Sequence, residues 1–363
     1  MRKILKITLL SALLPLLAFA ETSSVKVGIG AILSGDLAVF GQSDLQAAKL
    51  YLKNYSRHDI KLIEEDARLS SSDGLRAYQK LINLDHVDVL IAAGTSNGIM
   101  AAKGLVNSSQ TVTLMASTGG YNIDKAGPWL FRIGNSDTLN GIQQAKLFID
   151  KGIKNVALLT ELTEYTTDIS KAFKDEFLSL GGKLSYDDSF LPNTTDFRSQ
   201  ATAIIKTKPE AIFMPTQTGT ALGIFVKQLR LQEGNTKLDV HTTMVAAPNP
   251  DAHKIAGKHI IGVYYMDPSY GKDGAKYKEF IKLYKHEYGE EPATAFHVAS
   301  VLDCLEHLQN FLDLNKNFSN TKFKDYLENK VGNYCGYMGC YTFDSDGNTS
   351  LGFVSSRILE LIS

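Results

Sequence analysis

Two doubly wound α/β lobes, each a parallel sheet covered by helices, are the fold this sequence predicts. Three observations carry the prediction. Short apolar, strand-like runs alternate with amphipathic helical stretches almost throughout; the pattern restarts near residue 137; and 363 residues, 44% of them hydrophobic, suffice for two cores.

The first unit starts with a strand over residues 25–32 that ends in Ser34-Gly35, followed by Phe40-Gly41 and a helix near 42–55. Strands at 60–64, 87–92 and 112–116 follow, separated by helices near 72–84 and 98–108. The second unit repeats the theme, with strands at 156–160, 184–190, 211–215 and 240–245 and helices near 167–180, 197–206 and 220–232. Its first helix shows the logic. Ile169, Phe173, Phe177 and Leu180 recur at helical spacing on one face, which must pack on a sheet, and Gly181-Gly182 ends the helix. A strand at 259–266 is expected to lead out of the second lobe. Helices at 275–288 and 292–314 then need a sheet to cover, so the chain is expected to return to the first lobe before late strands at 341–343 and 352–361. Several crossings of this kind make a hinge rather than a tether.

The N-terminus reads as an export signal. Arg2, Lys3 and Lys6 precede an apolar run over 7–17, and Ala18-Phe19-Ala20 supplies a cleavage site after Ala20. The apolar run is short for a membrane span, and no cysteine follows the cleavage site to take a lipid. A net charge of −1, without a basic cluster, argues against nucleic acid as a partner. The histidines show no paired spacing, and Cys335 and Cys340 have no further ligands near them, so no metal and no cofactor are expected. Those two cysteines occupy a short glycine-bearing loop that can close a disulfide in an oxidising compartment; the sequence leaves their state open. Cys304 reads as a buried thiol in an apolar helix.

Ligands of open parallel sheets bind beyond the carboxyl ends of the strands. Here those ends carry Leu33-Ser34-Gly35-Asp36, Gly94-Thr95-Ser96-Asn97-Gly98 and Ser117-Thr118-Gly119-Gly120-Tyr121 in the first unit. The second unit places Glu161-Leu162-Thr163-Glu164-Tyr165, Thr216-Gln217-Thr218-Gly219 and Ala246-Ala247-Pro248-Asn249 at the corresponding positions. Ser96-Asn97 and Thr218-Gly219 stand just before helices, where free N–H groups favour an anionic group. Phe40, Tyr121 and Tyr165 supply apolar walls. Singly, each hydroxyl reads as an ordinary cap or turn residue; six such segments along one edge read as a cleft.

The chain resembles the type I periplasmic binding proteins, in particular the branched-chain amino-acid (Leu/Ile/Val) receptor group of ABC importers. The stretches that carry the resemblance span nearly all of the chain after residue 20. They include VKVGIGAILSGDLAVFGQ, VDVLIAAGTSNGIMAA, GPWLFRIGNSD, GIKNVALLTELTEY, KIAGKHIIGVYYMDP, YGEEPATAF and YTFDSDGN. Each is weak alone, whereas their order and spacing are specific. The resemblance implies two lobes joined by three crossovers, with residues 25–137 and 268–343 in lobe one and 138–267 and 344–363 in lobe two. It further implies a non-enzymatic, monomeric periplasmic protein that closes on a small polar solute and delivers it to a permease in the inner membrane. The carboxylate-binding serine falls on Ser96, the turn after the fourth strand on Ser117, Thr118 and Gly119, and the facing aromatics on Phe40 and Tyr165. Three positions depart from the pattern. The ammonium-binding acid falls on Val245, a threonine of the carboxylate turn on Gly119, and a pocket aromatic on Gln217. An α-amino acid then requires Glu161, Glu164 or Asp36 as its cation partner, and an amide or small carboxylate is equally compatible.

Two other readings compete. Residues 94–98 also fit G-x-S-x-G, a nucleophile elbow that would make Ser96 the nucleophile of a secreted esterase with His241 or His297 as base. Alternatively, the same fold reports its ligand to a membrane sensor kinase instead of a transporter.

Overall fold

The computed structural model describes residues 24–119, 125–232, 234, 237–268, 270–351 and 353–358. The expected export signal, Gly120, Tyr121 and the last residues of the expected C-terminal strand lie outside them.

The first sheet is parallel throughout. β1 (Val25–Ala31), β2 (Ile60–Asp66), β3 (Val89–Ala93), β4 (Thr113–Ala116) and β5 (Leu130–Ile133) lie in the order β2-β1-β3-β4-β5. The central β3 is buried along its whole length, as expected of a strand covered on both faces. α1 (Ala38–Tyr55), α2 (Ser71–Asn83) and α3 (Ser96–Ser109) make the crossovers. Ser70 caps α2 by accepting from the Asp73 N–H. α1 begins four residues earlier than expected, because no capping side chain marks its start and Leu37 holds the cap position on backbone geometry alone.

The second unit runs through α4 (Asp137–Asp150), β6 (Asn155–Glu161), α5 (Glu164–Ser179), β7 (Lys183–Phe190), α6 (Arg198–Thr207), β8 (Ala211–Phe213), α7 (Gly219–Gln232), β9 (Asp239–Thr242), α8 (Pro250–Ala256) and β10 (Val263–Pro268). A reciprocal capping box between Thr163 and Thr166 starts α5. The strand expected from residue 259 is instead a 3₁₀ turn, Gly257–Ile260, and the strand begins only after Gly262, whose φ of 83° needs glycine. β5, α4 and α8 were not anticipated as separate elements, nor were the helix Asn320–Asn329 and the strand Tyr334–Gly336.

The chain then returns to the first sheet as expected. α9 (Ala275–Tyr288), α10 (Ala295–Leu314) and α11 (Asn320–Asn329) bury Phe280, Val301, Leu305, Phe311 and Phe323 in the core that holds Val27, Ile29, Ile91 and Leu114. A hairpin of β11 (Tyr334–Gly336) and β12 (Gly339–Tyr341) is closed by a Cys335–Cys340 disulfide, while Cys304 is a buried free thiol. β13 (Phe353–Ile358) crosses back to pair antiparallel with β10, completing the order β13-β10-β9-β8-β6-β7. The chain thus passes between the sheets three times, after β5, β10 and β12. Two α/β lobes with a crossover hinge are the observed architecture.

Among the described residues three histidines are buried, His297 and His307 on α10 and His241 on β9. His241 sits between the Phe148 and Tyr264 rings, its Nδ1 3.1 Å from Gln144 Nε2, and burial with Lys151 nearby lowers its pKa to about 3. The unfolded chain protonates this imidazole near the ordinary value of about 6.5. Its stabilising contribution is therefore present above that value and is lost as pH falls towards 3. Asp303, raised to about 7 by burial, works oppositely, its contribution fading as pH rises through 7. We therefore expect His241→Gln to flatten the fall in melting temperature between pH 6.5 and 4.5 relative to the unsubstituted protein. Parallel pH profiles would show that the ring titrates alike in both states.

Candidate ligand-binding cleft

The carboxyl ends of both sheets face one another across a cavity lined by both lobes. From the first lobe it is lined by Phe40, Asp44, Gly94, Ser96 and Ser117, with Phe296 and His297 arriving on α10. Tyr165, Gln217, Met244 and Val245 line it from the second lobe, and Gly119, Asn135 and Asp137 line it near the first crossover.

Six of the sequence-expected residues share this wall: Phe40, Ser96, Ser117, Gly119, Tyr165 and Gln217. Ser96 is the first residue of α3 and is buried. Ser117 adopts a left-handed backbone (φ 51°), with its N–H 3.0 Å from Ser300 Oγ. Its own Oγ is buried without a hydrogen-bond partner, as is Gln217 Oε1. Burial raises the Tyr165 phenol well above its ordinary pKa, and the nearby Asp137 carboxylate adds to the rise. Gly119 shows why a threonine does not fit here: a Cβ would stand 2.6 Å from the Asn135 carbonyl oxygen and 2.7 Å from Asp137 Oδ1.

Two expected contacts face elsewhere. Thr118 is turned into the sheet, donating to the Ala92 and Ala116 carbonyls at 3.2 and 3.1 Å. Glu161 is 0% exposed and does not line the cavity. Its Oε2 accepts from Thr216 Oγ1 (2.6 Å), Gln217 N (2.5 Å) and Thr218 N (3.1 Å), and its Oε1 from Thr218 Oγ1 (2.8 Å). The carboxylate is spent on shaping the turn that presents Gln217. Thr218, expected as an anion-binding cap, is drawn into the same network. Tyr121 lies outside the described residues.

The lobes also touch at the cleft's lips. Asn97 Oδ1 accepts from the Glu164 N–H at 2.9 Å, while Asn97 Nδ2 donates to the Leu69 carbonyl at 2.8 Å. Asp36 accepts from Thr220 Oγ1 at 3.0 Å, and Asn249 Nδ2 donates to the Asp36 carbonyl at 3.2 Å. Burial between the lobes raises the Asp36 pKa, opposed by the Thr220 hydrogen bonds. Asp36 and Asn97, read from sequence as turn and cap residues, are interlobe clasps.

Sequence reasoning missed Asp44 and Asp137, and it named His297 only as a base for the esterase reading. Asp44 carried a legible signal, an acid one helical turn beyond Phe40 on the face of α1 that is otherwise buried. His297 lies among apolar residues of α10, and its Nδ1 stands 3.6 Å from Asp44 Oδ2. Nothing in sequence brings residues 44 and 297 together.

The esterase reading finds no support. Among the described residues Ser96 makes no hydrogen bond to either candidate base, and His241 is packed in the core between two aromatic rings. Two lobes, three crossovers and a cavity at the facing strand ends define a hinged binding protein. The chain belongs to the periplasmic binding protein family, whose model matches residues 24–349, a family of binders rather than enzymes. Solved structures share the fold at low identity. A leucine-binding protein of Thermotoga maritima is 19% identical with a TM-score of 0.81, the match covering 92% of this chain and 98% of that one. A branched-chain amino-acid transporter substrate-binding protein of Streptococcus pneumoniae, solved with isoleucine, is 20% identical with a TM-score of 0.79 (93% and 99% covered). An ABC transporter solute-binding protein of R. palustris, solved with benzoate, is 19% identical with a TM-score of 0.80 (93% of each chain).

Proposed function

We propose that this protein is the solute-capturing component of an ABC importer. It acts outside the cytoplasm as a monomer after cleavage behind Ala20, and it hands a small polar solute to an inner-membrane permease. The lobes, residues 25–137 with 268–343 and 138–267 with 344–363, rotate about the crossovers. A solute that touches both walls stabilises the closed arrangement by its differential affinity for it. One observation carries the reading: residues that line a shared cavity between clasped lobes hold polar atoms buried without partners, Ser117 Oγ in one lobe and Gln217 Oε1 in the other. Buried polar groups are disfavoured unless bonded, so a solute that supplies the missing bonds is bound. Isoleucine and benzoate occupy the related structures, and amino acids, amides and small carboxylates are accordingly the solutes to try here.

The test is a thermal-shift screen of residues 21–363 followed by small-angle scattering with each hit. A bound solute raises the melting temperature by mass action and lowers the radius of gyration. Binding with an unchanged scattering profile would remove the hinge from the proposal. Ser96 is expected to hold an anionic group, so Ser96→Ala should weaken binding by about 1–3 kcal/mol, the worth of a hydrogen bond to a charge. Unchanged affinity by titration calorimetry would reduce Ser96 to a helix-starting residue.

A further inference from the structure

The function proposed above leaves open which polar groups the solute carries, and the charges in the cleft bear on that question. Each acid the sequence offers as a partner for a ligand cation is engaged elsewhere or stands off the cavity wall. Glu161 is surrounded by four donors, and Asp36 clasps Thr220. Glu164 does not line the cavity, and Val245 brings only methyl groups to it.

Asp44 differs from all of these. It is 1% exposed and lines the cavity; its Oδ2 stands 3.6 Å from His297 Nδ1, and its Oδ1 is buried without a hydrogen-bond partner. A carboxylate taken out of water with one oxygen unbonded is strongly disfavoured unless a donor arrives with the ligand. The other acid in the wall, Asp137, lies in the first turn of α4, where the helix N-terminus offsets negative charge. Two more unpartnered acceptors, Ser117 Oγ and Gln217 Oε1, belong to residues that line the same cavity. Three acceptors on one cavity match the three N–H bonds of an ammonium group.

We propose that Asp44 is the cation anchor of this cleft, accepting from a protonated amine on the solute while Gln217 accepts from the same amine across the cleft. The anchor stands on the first lobe, on the same wall as Ser96, and not at Val245 where the resemblance places the family's acid. The captured solute is therefore amine-bearing. A purely anionic aromatic acid of the kind seated in the R. palustris protein lacks the group Asp44 requires.

Matched pairs test this on the unsubstituted protein by calorimetry: L-leucine against 4-methylpentanoate, L-phenylalanine against 3-phenylpropanoate, 4-(aminomethyl)benzoate against 4-methylbenzoate, and putrescine against butane-1,4-diol. We expect at least one amine to bind, at least about tenfold tighter than its amine-free twin, and Asp44→Asn to weaken it about 10–100-fold, the range for a charged hydrogen bond. The pairs carry the test even if the variant fails to fold. A twin that binds as tightly as its amine overturns the anchor and leaves capture intact. So does unchanged affinity in a folded Asp44→Asn, or a loss seen with Asp137→Asn in its place. Silence from all four amines overturns it as well, and silence from the twins too would take the capture reading with it.

Discussion

Glu161→Ala should destabilise the protein by roughly 4 kcal/mol, a loss read from the shift in urea midpoint at constant slope. Removing the carboxylate leaves the N–H groups of Gln217 and Thr218 buried without acceptors, and each orphaned donor costs about 1–3 kcal/mol. The threonine hydroxyls fare better, since a hydroxyl can turn to another acceptor: Thr216 Oγ1 already lies 3.4 Å from the Thr218 carbonyl. Glu161→Gln should cost less, about 2 kcal/mol, because one oxygen still accepts while the amide nitrogen faces a donor. Both variants should also lose ligand affinity, since Gln217 is presented by the turn that Glu161 organises. A Glu161→Ala protein as stable as the parent would mean that the turn finds other acceptors.

Gly41→Ala should cost about 3 kcal/mol, at the upper end for overpacking a close-packed contact. The first turn of α1 presses on the loop that leaves β1, and an added methyl would overlap the Ile32 carbonyl. Both sides of the contact are backbone, so no side-chain rotation relieves it. The same helix carries Phe40 and Asp44 into the cleft, so any shift that makes room displaces both. Loss of stability together with affinity is the expected pair of readouts. A variant that keeps the parent's urea midpoint would show that α1 slides away without penalty.

Much of the fold was legible because its elements are written locally. The stripe of Ile169, Phe173 and Phe177 and the stop at Gly181 define α5 without reference to any other segment. α4 was missed because its buried face is mixed, with Asp137, Asn140, Gly141 and Gln144 beside Ala145 and Phe148. Hydrophobic period does not report a face of that kind. Gly141 belongs there because α5 packs so closely that a side chain would meet the backbone at Ile169 and Phe173. β10 was placed too early because Ile260 and Ile261 extend the apolar run through a turn set by the positive φ of Gly262.

The sequence by itself determined two α/β lobes, the strand ends where the cavity lies and six of the residues that line it. Strand and helix periods are local, and ligands gather at strand ends. Tertiary structure alone decided which polar groups remain for a ligand. Glu161 and Asp44 are both buried acids, yet four donors from another loop satisfy one, while the other meets only a histidine more than 250 residues away. Whether a buried carboxylate is structural or receptive depends on donors brought by distant parts of the chain, and no local pattern records their arrival.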